Sequence, residues 1–138
     1  MSDYEPVFPD MLYGGMASQR RITEWCEDHY PSSTIEQAFT ALVEEVMELG
    51  VELERAGYRL DLDSVLTASR ISYEKAASGK ASSPKEEIGD IAINLAHLAS
   101  KLHCIVQVCA NDKMTKLKHR SVDESQRLAR KHGFGLDV

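Results

Sequence analysis

The chain has 138 residues, of which 43% are hydrophobic and 28% are charged, and its formal net charge at pH 7 is -6. This length and composition are typical of one soluble domain with a hydrophobic core. The acidic balance argues against nucleic acid as a partner, because proteins that bind its phosphate backbone usually carry a basic excess.

The N-terminal segment, residues 1–16, contains two prolines and two glycines, and we predict an extended arm there. It lacks the apolar core of a secretory signal peptide. No run in the chain approaches the roughly 18 apolar residues of a membrane span, so we expect no membrane partner. A first helix is predicted from Ser18 to about His29, ending before Pro31.

The second helix has the clearest pattern in the sequence. Its N-cap is predicted in the "PSST" stretch, and it ends near Gly57. Apolar side chains recur at alternating steps of four and three residues, which places them on one helical face about five turns long. This apolar stripe consists of Ile35, Phe39, Leu42, Val46, Leu49 and Leu53.

The segment 58–83 is predicted to hold a short helix and then a flexible stretch. The motif "SPKE" favours a third helix, because Ser83 can cap it, Pro84 suits its first turn and Glu86 completes a capping box. The apolar stripe of this third helix consists of Ile88, Ile91, Leu95, Leu98 and Leu102.

A fourth helix is predicted from Ile105 to about Arg120, either continuous with the third or bent near His103. Residues 121–138 are predicted to form a short helix capped by Asp123, followed by a tail. No strand pattern exceeds three residues. The predicted fold class is therefore all-α, a small helical bundle of four to five helices in a single domain, 1–138.

Acidic side chains lie beside both long apolar stripes. Glu45, Glu48 and Glu52 follow one line of the second helix, about 100° from the apolar stripe. The third helix repeats this arrangement with Glu87, Asp90 and Asn94. If both stripes enter one core and the helices are antiparallel, the two acidic lines can face each other.

Facing carboxylates repel each other, and a divalent cation reverses this repulsion. An all-oxygen ligand set suits Mg²⁺ or Mn²⁺, and the absence of Cys and His from both lines argues against zinc. Di-iron bundles use Glu-x-x-His pairs, and this chain has none. Taken singly, each acidic motif is more typical of a solvated helix face than of a metal site. Together they favour a Mg²⁺ site that holds a polyphosphate.

The sequence also resembles a known family. "EEVME" (Glu44 to Glu48) and "EIGD" (Glu87 to Asp90) are similar to the ExxE and ExxD signature of the MazG-like, all-α nucleoside triphosphate pyrophosphohydrolases. "KMTKLKHR" (113–120) resembles the family's terminal lysine and arginine segment. "WCEDHYP" (25–31) resembles the aromatic-rich segment of its deoxynucleotide branch. The resemblance covers about residues 18–120.

The resemblance implies a hydrolase that converts a nucleoside triphosphate to the monophosphate and pyrophosphate. It implies Mg²⁺ ligands, a general base that is either Glu44 or one of the ligands such as Glu48, and a homodimer or homotetramer. Purine deoxynucleotides, with dGTP first, are the expected substrates, and dCTP or dUTP is the alternative. The implied metal ligands are Glu45, Glu48, Glu87 and Asp90. The candidate substrate contacts are Lys113 and Arg120 for phosphates, Asn94 for sugar or phosphate, and Trp25 and His29 beside the base. The alternatives are ordinary ones: basic residues that suit a helix C-terminus, a polar residue at the edge of a stripe, and a tryptophan packed in the core.

The chain departs from the family pattern at two places. Thirty-eight residues separate Glu48 from Glu87, so 58–83 is interpreted as an insertion, and Leu117 occupies a position where the family often has asparagine. Two alternatives stay open on the residues: a non-catalytic helical binding module with surface acids, and a Mg²⁺-dependent hydrolase of a non-nucleotide phosphate. The three cysteines form no CxxC motif and are interpreted as reduced thiols of a cytoplasmic protein.

Overall fold

The computed structural model describes residues 15–131, and no strand occurs within them. The predicted all-α class is therefore confirmed for the described residues. Residues 15–131 form six helices, more than the four to five predicted for the chain. The predicted arm lies outside the described residues except for its last two, which begin the first helix, and the predicted tail after residue 131 also lies outside them. The helices are α1 (Gly15–His29), α2 (Ile35–Arg55), α3 (Leu62–Ser78), α4 (Pro84–Lys101), α5 (Val106–Leu117) and α6 (Val122–Lys131).

Both ends of α2 follow from local chemistry. Thr34 is the N-cap, and its side chain accepts a hydrogen bond from the backbone N–H of Gln37, whose side chain bonds the Thr34 N–H in return. This capping box satisfies two N–H groups that the first turn leaves without helical partners. At the other end Gly57 adopts φ 97°, a left-handed conformation that favours glycine. The predicted boundaries of this helix are confirmed.

Helix α3 is longer than the predicted short helix: it continues to Ser78, so that of the stretch predicted to be flexible, 76–83, only the part after Ser78 is non-helical. Asp61 caps it, accepting hydrogen bonds from the backbone N–H and the hydroxyl of Ser64. Two of the residues that were interpreted as flexible and are helical, Ala76 and Ala77, are alanines, which have the highest helix propensity. The N-cap signal at Asp61 was present in the sequence and was not used.

The chain bends by 91° between α4 and α5. The bend follows His103, which adopts φ 56°, and the backbone N–H of Cys104 donates to the carbonyl of Ala99 at 2.8 Å. Of the two predicted alternatives, the bent one is therefore correct. The predicted cap of α6 is wrong: Ser121, not Asp123, accepts the hydrogen bond from the Glu124 N–H, because Asp123 already lies inside the helix.

The chain forms two compact units. The first comprises the described residues up to Ser33 and those from Lys85 onward, and α1 packs against α6 within it. The second is Thr34–Pro84, which holds α2 and α3. Neither α2 nor α3 contains a buried residue, and in the α2 stripe Ile35 is 91% exposed and Phe39 is 61% exposed.

None of the described helices is by itself long and apolar enough to cross a membrane; α4 and α5 meet that criterion only when they are taken together across their bend.

Candidate functional site

The acidic residues of α2 lie in the second unit. Glu44 is half-buried, and Glu45 and Glu48 are exposed. None of these three carboxylates forms a hydrogen bond or ion pair with another described residue. Glu52, which continues the same line, differs, because it forms an ion pair with Arg55 one turn later. The acids of α2 therefore differ: Glu52 is paired with Arg55, whereas the carboxylate oxygens of Glu44, Glu45 and Glu48 are available to a ligand.

The acidic residues of α4 lie in the first unit. Glu87 and Asp90 are exposed, and neither makes a contact through its carboxylate with another described residue. Asn94 is also exposed, and its side-chain amide donates to the backbone carbonyl of Asp90 at 2.9 Å. One of the Asn94 amide hydrogens is therefore engaged within the helix, and its side-chain oxygen is left to accept other bonds.

The chemistry of these four carboxylates, Glu45, Glu48, Glu87 and Asp90, suits a hard divalent cation, because all of their donor atoms are unpaired oxygens. Within residues 15–131 no group of three or more His, Cys, Asp or Glu side chains is assembled closely enough to hold a metal ion. The two pairs belong to different units of the chain. The four-ligand set therefore stays a prediction.

The two basic residues assigned to phosphates lie along and just after α5. Lys113 is exposed on α5, and Arg120 is half-buried in the turn that follows, where its backbone N–H donates to the carbonyl of Leu117 at 2.9 Å. Neither forms an ion pair with a described acid. Their positive charges are available to an anion.

The aromatic segment is built into the contact between α1 and α6. His29 is buried, and its Nδ1 lies 2.6 Å from the Oγ of Ser125, which is 0% exposed. Trp25 stacks on the His29 ring with 3.9 Å between centroids and an interplanar angle of 16°. Tyr30 meets Trp25 edge-on at 6.0 Å. The His29–Ser125 hydrogen bond connects the end of α1 to α6, and Trp25 and Tyr30 pack around the His29 ring.

The indole Nε1 of Trp25 is buried and has no hydrogen-bond partner among the described residues. The assignment of Trp25 and His29 to the base of a nucleotide stays a prediction. The contact partner Ser125 was missed by sequence reasoning. The signal in the sequence is the spacing of Val122, Ser125 and Ala129, which follow each other at steps of three and four on one face of α6.

A cleft of about 370 Å³ lies between α1 and α5, within the first unit. Arg21 and Lys118 line it together with three side chains that can form hydrogen bonds, Gln107, Asn111 and Thr115. Ile22 and Met114 supply apolar surface. Sequence analysis did not single out this cleft. Gln107, Asn111, Thr115 and Lys118 recur at steps of four and three along α5, but the rest of the polar lining comes from Arg21 on α1, which is distant in sequence.

No protein-family model, curated protein or solved structure matches the chain. The resemblance to the MazG-like family therefore rests on the acidic, basic and aromatic motifs alone.

Proposed function

We propose that the protein is a Mg²⁺-dependent nucleoside triphosphate pyrophosphohydrolase. The observation that carries the proposal is the pair of acidic motifs, Glu45–Glu48 and Glu87–Asp90, whose carboxylates are exposed and have no described protein partner. A solvated helix face would also expose acids. However, a solvated face gives no reason for two helices to carry ExxE and ExxD motifs at the same offset from their apolar stripes, whereas a shared metal site does.

The proposal assigns metal ligation to Glu45, Glu48, Glu87 and Asp90. When bound, Mg²⁺ offsets the negative charge of a triphosphate and activates water for attack. The half-buried Glu44, or Glu48, accepts the proton of the attacking water. The water oxygen bonds to the α-phosphorus as the bond to the bridging oxygen breaks, so the products are a nucleoside monophosphate and pyrophosphate.

Lys113 and Arg120 are proposed to bind the phosphates. Both are cationic, both lack an ion-pair partner among the described residues, and Arg can bind phosphate oxygens through two parallel hydrogen bonds. Asn94 is proposed to contact sugar or phosphate through its side-chain oxygen. A purine deoxynucleotide, dGTP first, is the proposed substrate, with dCTP or dUTP as the alternative.

The test is pyrophosphate release from the eight common ribo- and deoxynucleoside triphosphates, with and without Mg²⁺. We expect Mg²⁺-dependent release of pyrophosphate, abolished in Glu48→Gln and Asp90→Asn. Glu54→Gln is the matched control, because Glu54 is an exposed acid on the same helix as Glu48 and has no proposed role. Full activity of Asp90→Asn would refute the site.

Other outcomes separate the competing interpretations. Orthophosphate as the product would mean attack at the γ-phosphorus and would exclude this reaction class. A preference for dCTP or dUTP would replace the purine substrate and retain the metal chemistry. No turnover of any triphosphate, with metal present, would favour the non-catalytic binding module.

We also propose that the protein is a homo-oligomer, a dimer or a tetramer. The second unit, Thr34–Pro84, has no buried residue, and its apolar stripe on α2 is largely exposed. Exposed apolar surface of this extent marks an interaction site. Symmetric association of identical subunits is the commonest way to cover it.

A further inference from the structure

The cleft between α1 and α5 differs in charge from the chain as a whole. Two cationic side chains, Arg21 and Lys118, line it, and none of its lining residues is an Asp or a Glu. The chain, by contrast, has a formal net charge of -6 at pH 7. The cleft therefore offers an anion a local excess of positive charge.

Both cations are available to a ligand. The side chains of Arg21 and Lys118 form no ion pair and no hydrogen bond with another residue in the described range 15–131. Arg21 lies on α1, whereas Lys118 is the C-cap residue of α5, so the two charges reach the cleft from different helices. Both residues are exposed, which leaves their charged groups accessible from solvent.

Three side chains that can form hydrogen bonds follow one face of α5 inside the cleft, and we call them the polar row. Gln107, Asn111 and Thr115 are four residues apart, and Lys118 follows three residues later. The side-chain amides of Gln107 and Asn111 have no partner among the described residues, so each can donate and accept hydrogen bonds. The Thr115 hydroxyl already donates to the Asn111 carbonyl at 2.9 Å, so its oxygen is left to accept.

The rest of the lining is apolar. Ile22 and Met114 are half-buried, and Ala110 adds little bulk to the wall formed by α5. The cleft volume of about 370 Å³ lies within the range of small-molecule sites, roughly 300–1,000 Å³. A matching ligand therefore has a charged group and a body with apolar surface.

We propose that this cleft binds a small organic phosphate monoester. At neutral pH such a group carries close to two negative charges, because its second pKa is about 6, and these match the two cations. The Arg21 guanidinium can bind two phosphate oxygens through parallel hydrogen bonds, while Lys118 acts as a point charge beside the third. The body of the ligand packs on Ile22 and Met114 and forms hydrogen bonds with the polar row.

This site is separate from the proposed hydrolase site. None of the lining residues is a proposed metal ligand, and neither Lys113 nor Arg120 lines the cleft. Binding here therefore requires no metal, and it can be measured without turnover.

The experiment is isothermal titration calorimetry of the full-length protein with phenyl phosphate, at neutral pH and low salt, in the presence of EDTA. EDTA removes divalent metal, so the acidic motifs cannot hold a phosphate through Mg²⁺. We expect saturable binding at one site per chain. Inorganic phosphate, which lacks the apolar body, and benzoate, which has the ring but only one negative charge, should both bind more weakly.

Variants locate the binding. Arg21→Gln and Lys118→Gln should each lower the affinity for phenyl phosphate by about tenfold or more, because each removes a charged hydrogen-bond donor. Arg20→Gln and Lys116→Gln are the matched controls, since both are exposed cations next to the cleft residues in sequence and neither lines the cleft. They should bind as the wild-type protein does, and circular dichroism checks that every variant is folded.

Four outcomes would overturn the proposal. The first is no saturable binding of phenyl phosphate at millimolar concentration. The second is an equal loss in the control variants, because overall charge would then explain the attraction. The third is a loss in Lys113→Gln or Arg120→Gln with none in Arg21→Gln, which would place the phosphate at the contacts proposed for the hydrolase. The fourth is benzoate binding as tight as that of phenyl phosphate.

Discussion

At the scale of single residues, His29 and Ser125 depend on each other for a buried hydrogen bond. Ser125→Ala leaves the His29 Nδ1 without its partner inside the α1–α6 contact. An unsatisfied buried polar group costs about 1–3 kcal/mol, so the free energy of unfolding in urea should fall by about that amount. Ser100→Ala, at an exposed position on α4, is the control and should change stability little. Equal stability of the Ser125 variant would show that the contact contributes nothing.

The acidic site gives a second prediction for single residues. If carboxylates bind Mg²⁺ only in the folded protein, a concentration about one hundred times Kd should stabilise the wild-type protein by about 2.7 kcal/mol. In Asp90→Asn this stabilisation should be lost. The metal-free variant should unfold no more easily than the metal-free wild type, because the substitution removes a negative charge. Differential scanning calorimetry with Mg²⁺ and with EDTA measures both effects, and an undiminished response to Mg²⁺ would contradict the assignment.

At the scale of helices, the capping box of α2 makes a separate contribution. Thr34→Ala removes the side-chain acceptor of the Gln37 N–H and should lower the free energy of unfolding by about 1 kcal/mol. Thr34→Ser keeps a hydroxyl cap and should retain most of the stability. Ser33→Ala, one residue outside the cap, is the position control. A loss in the serine variant as large as that in the alanine variant would mean that the cap hydrogen bond is not the cause.

The cap of α3 predicts a pH dependence. Hydrogen bonds from the Ser64 side chain and then from its backbone lower the pKa of Asp61 below its ordinary 3.8. Because the folded-state pKa is the lower one, this contribution is present above pH 3.8 and is lost as pH falls through the folded-state value. The stability difference between wild type and Asp61→Asn should therefore be constant near neutral pH and shrink in acid. Chemical unfolding followed by circular dichroism from pH 7 to pH 3 measures it; a difference that grew in acid would contradict the sign.

At the scale of the whole molecule, the exposed stripe of α2 predicts self-association. Light scattering should give a mass at least twice the 15.4 kDa of the chain. Phe39→Asp places a charge in the stripe and should shift the protein toward the monomer. Thr40→Asp is the matched control, because it lies on the same helix about 100° away. A 15.4 kDa species at micromolar wild-type concentration would rule out the homo-oligomer.

The helices themselves followed largely from the sequence. The stripe of α2 and its termini at Thr34 and Gly57 are local signals, since a cap and a left-handed glycine act within four or five residues. The length of α3 was underestimated, because the Asp61 cap and the helix propensity of alanine favour a longer helix than the small and polar residues near its end suggested. The sequence analysis also placed the cap of α6 two residues too late.

The acidic motifs, their spacing and their charge were determined by the sequence alone. The tertiary structure decided what the sequence could not: that His29 is buried against Ser125, and that Arg21 and Lys118 line one cleft. The physical reason is the range of the interactions. Helix periodicity and capping depend on neighbours along the chain, whereas burial and pairing depend on residues 96 positions apart, as His29 and Ser125 are.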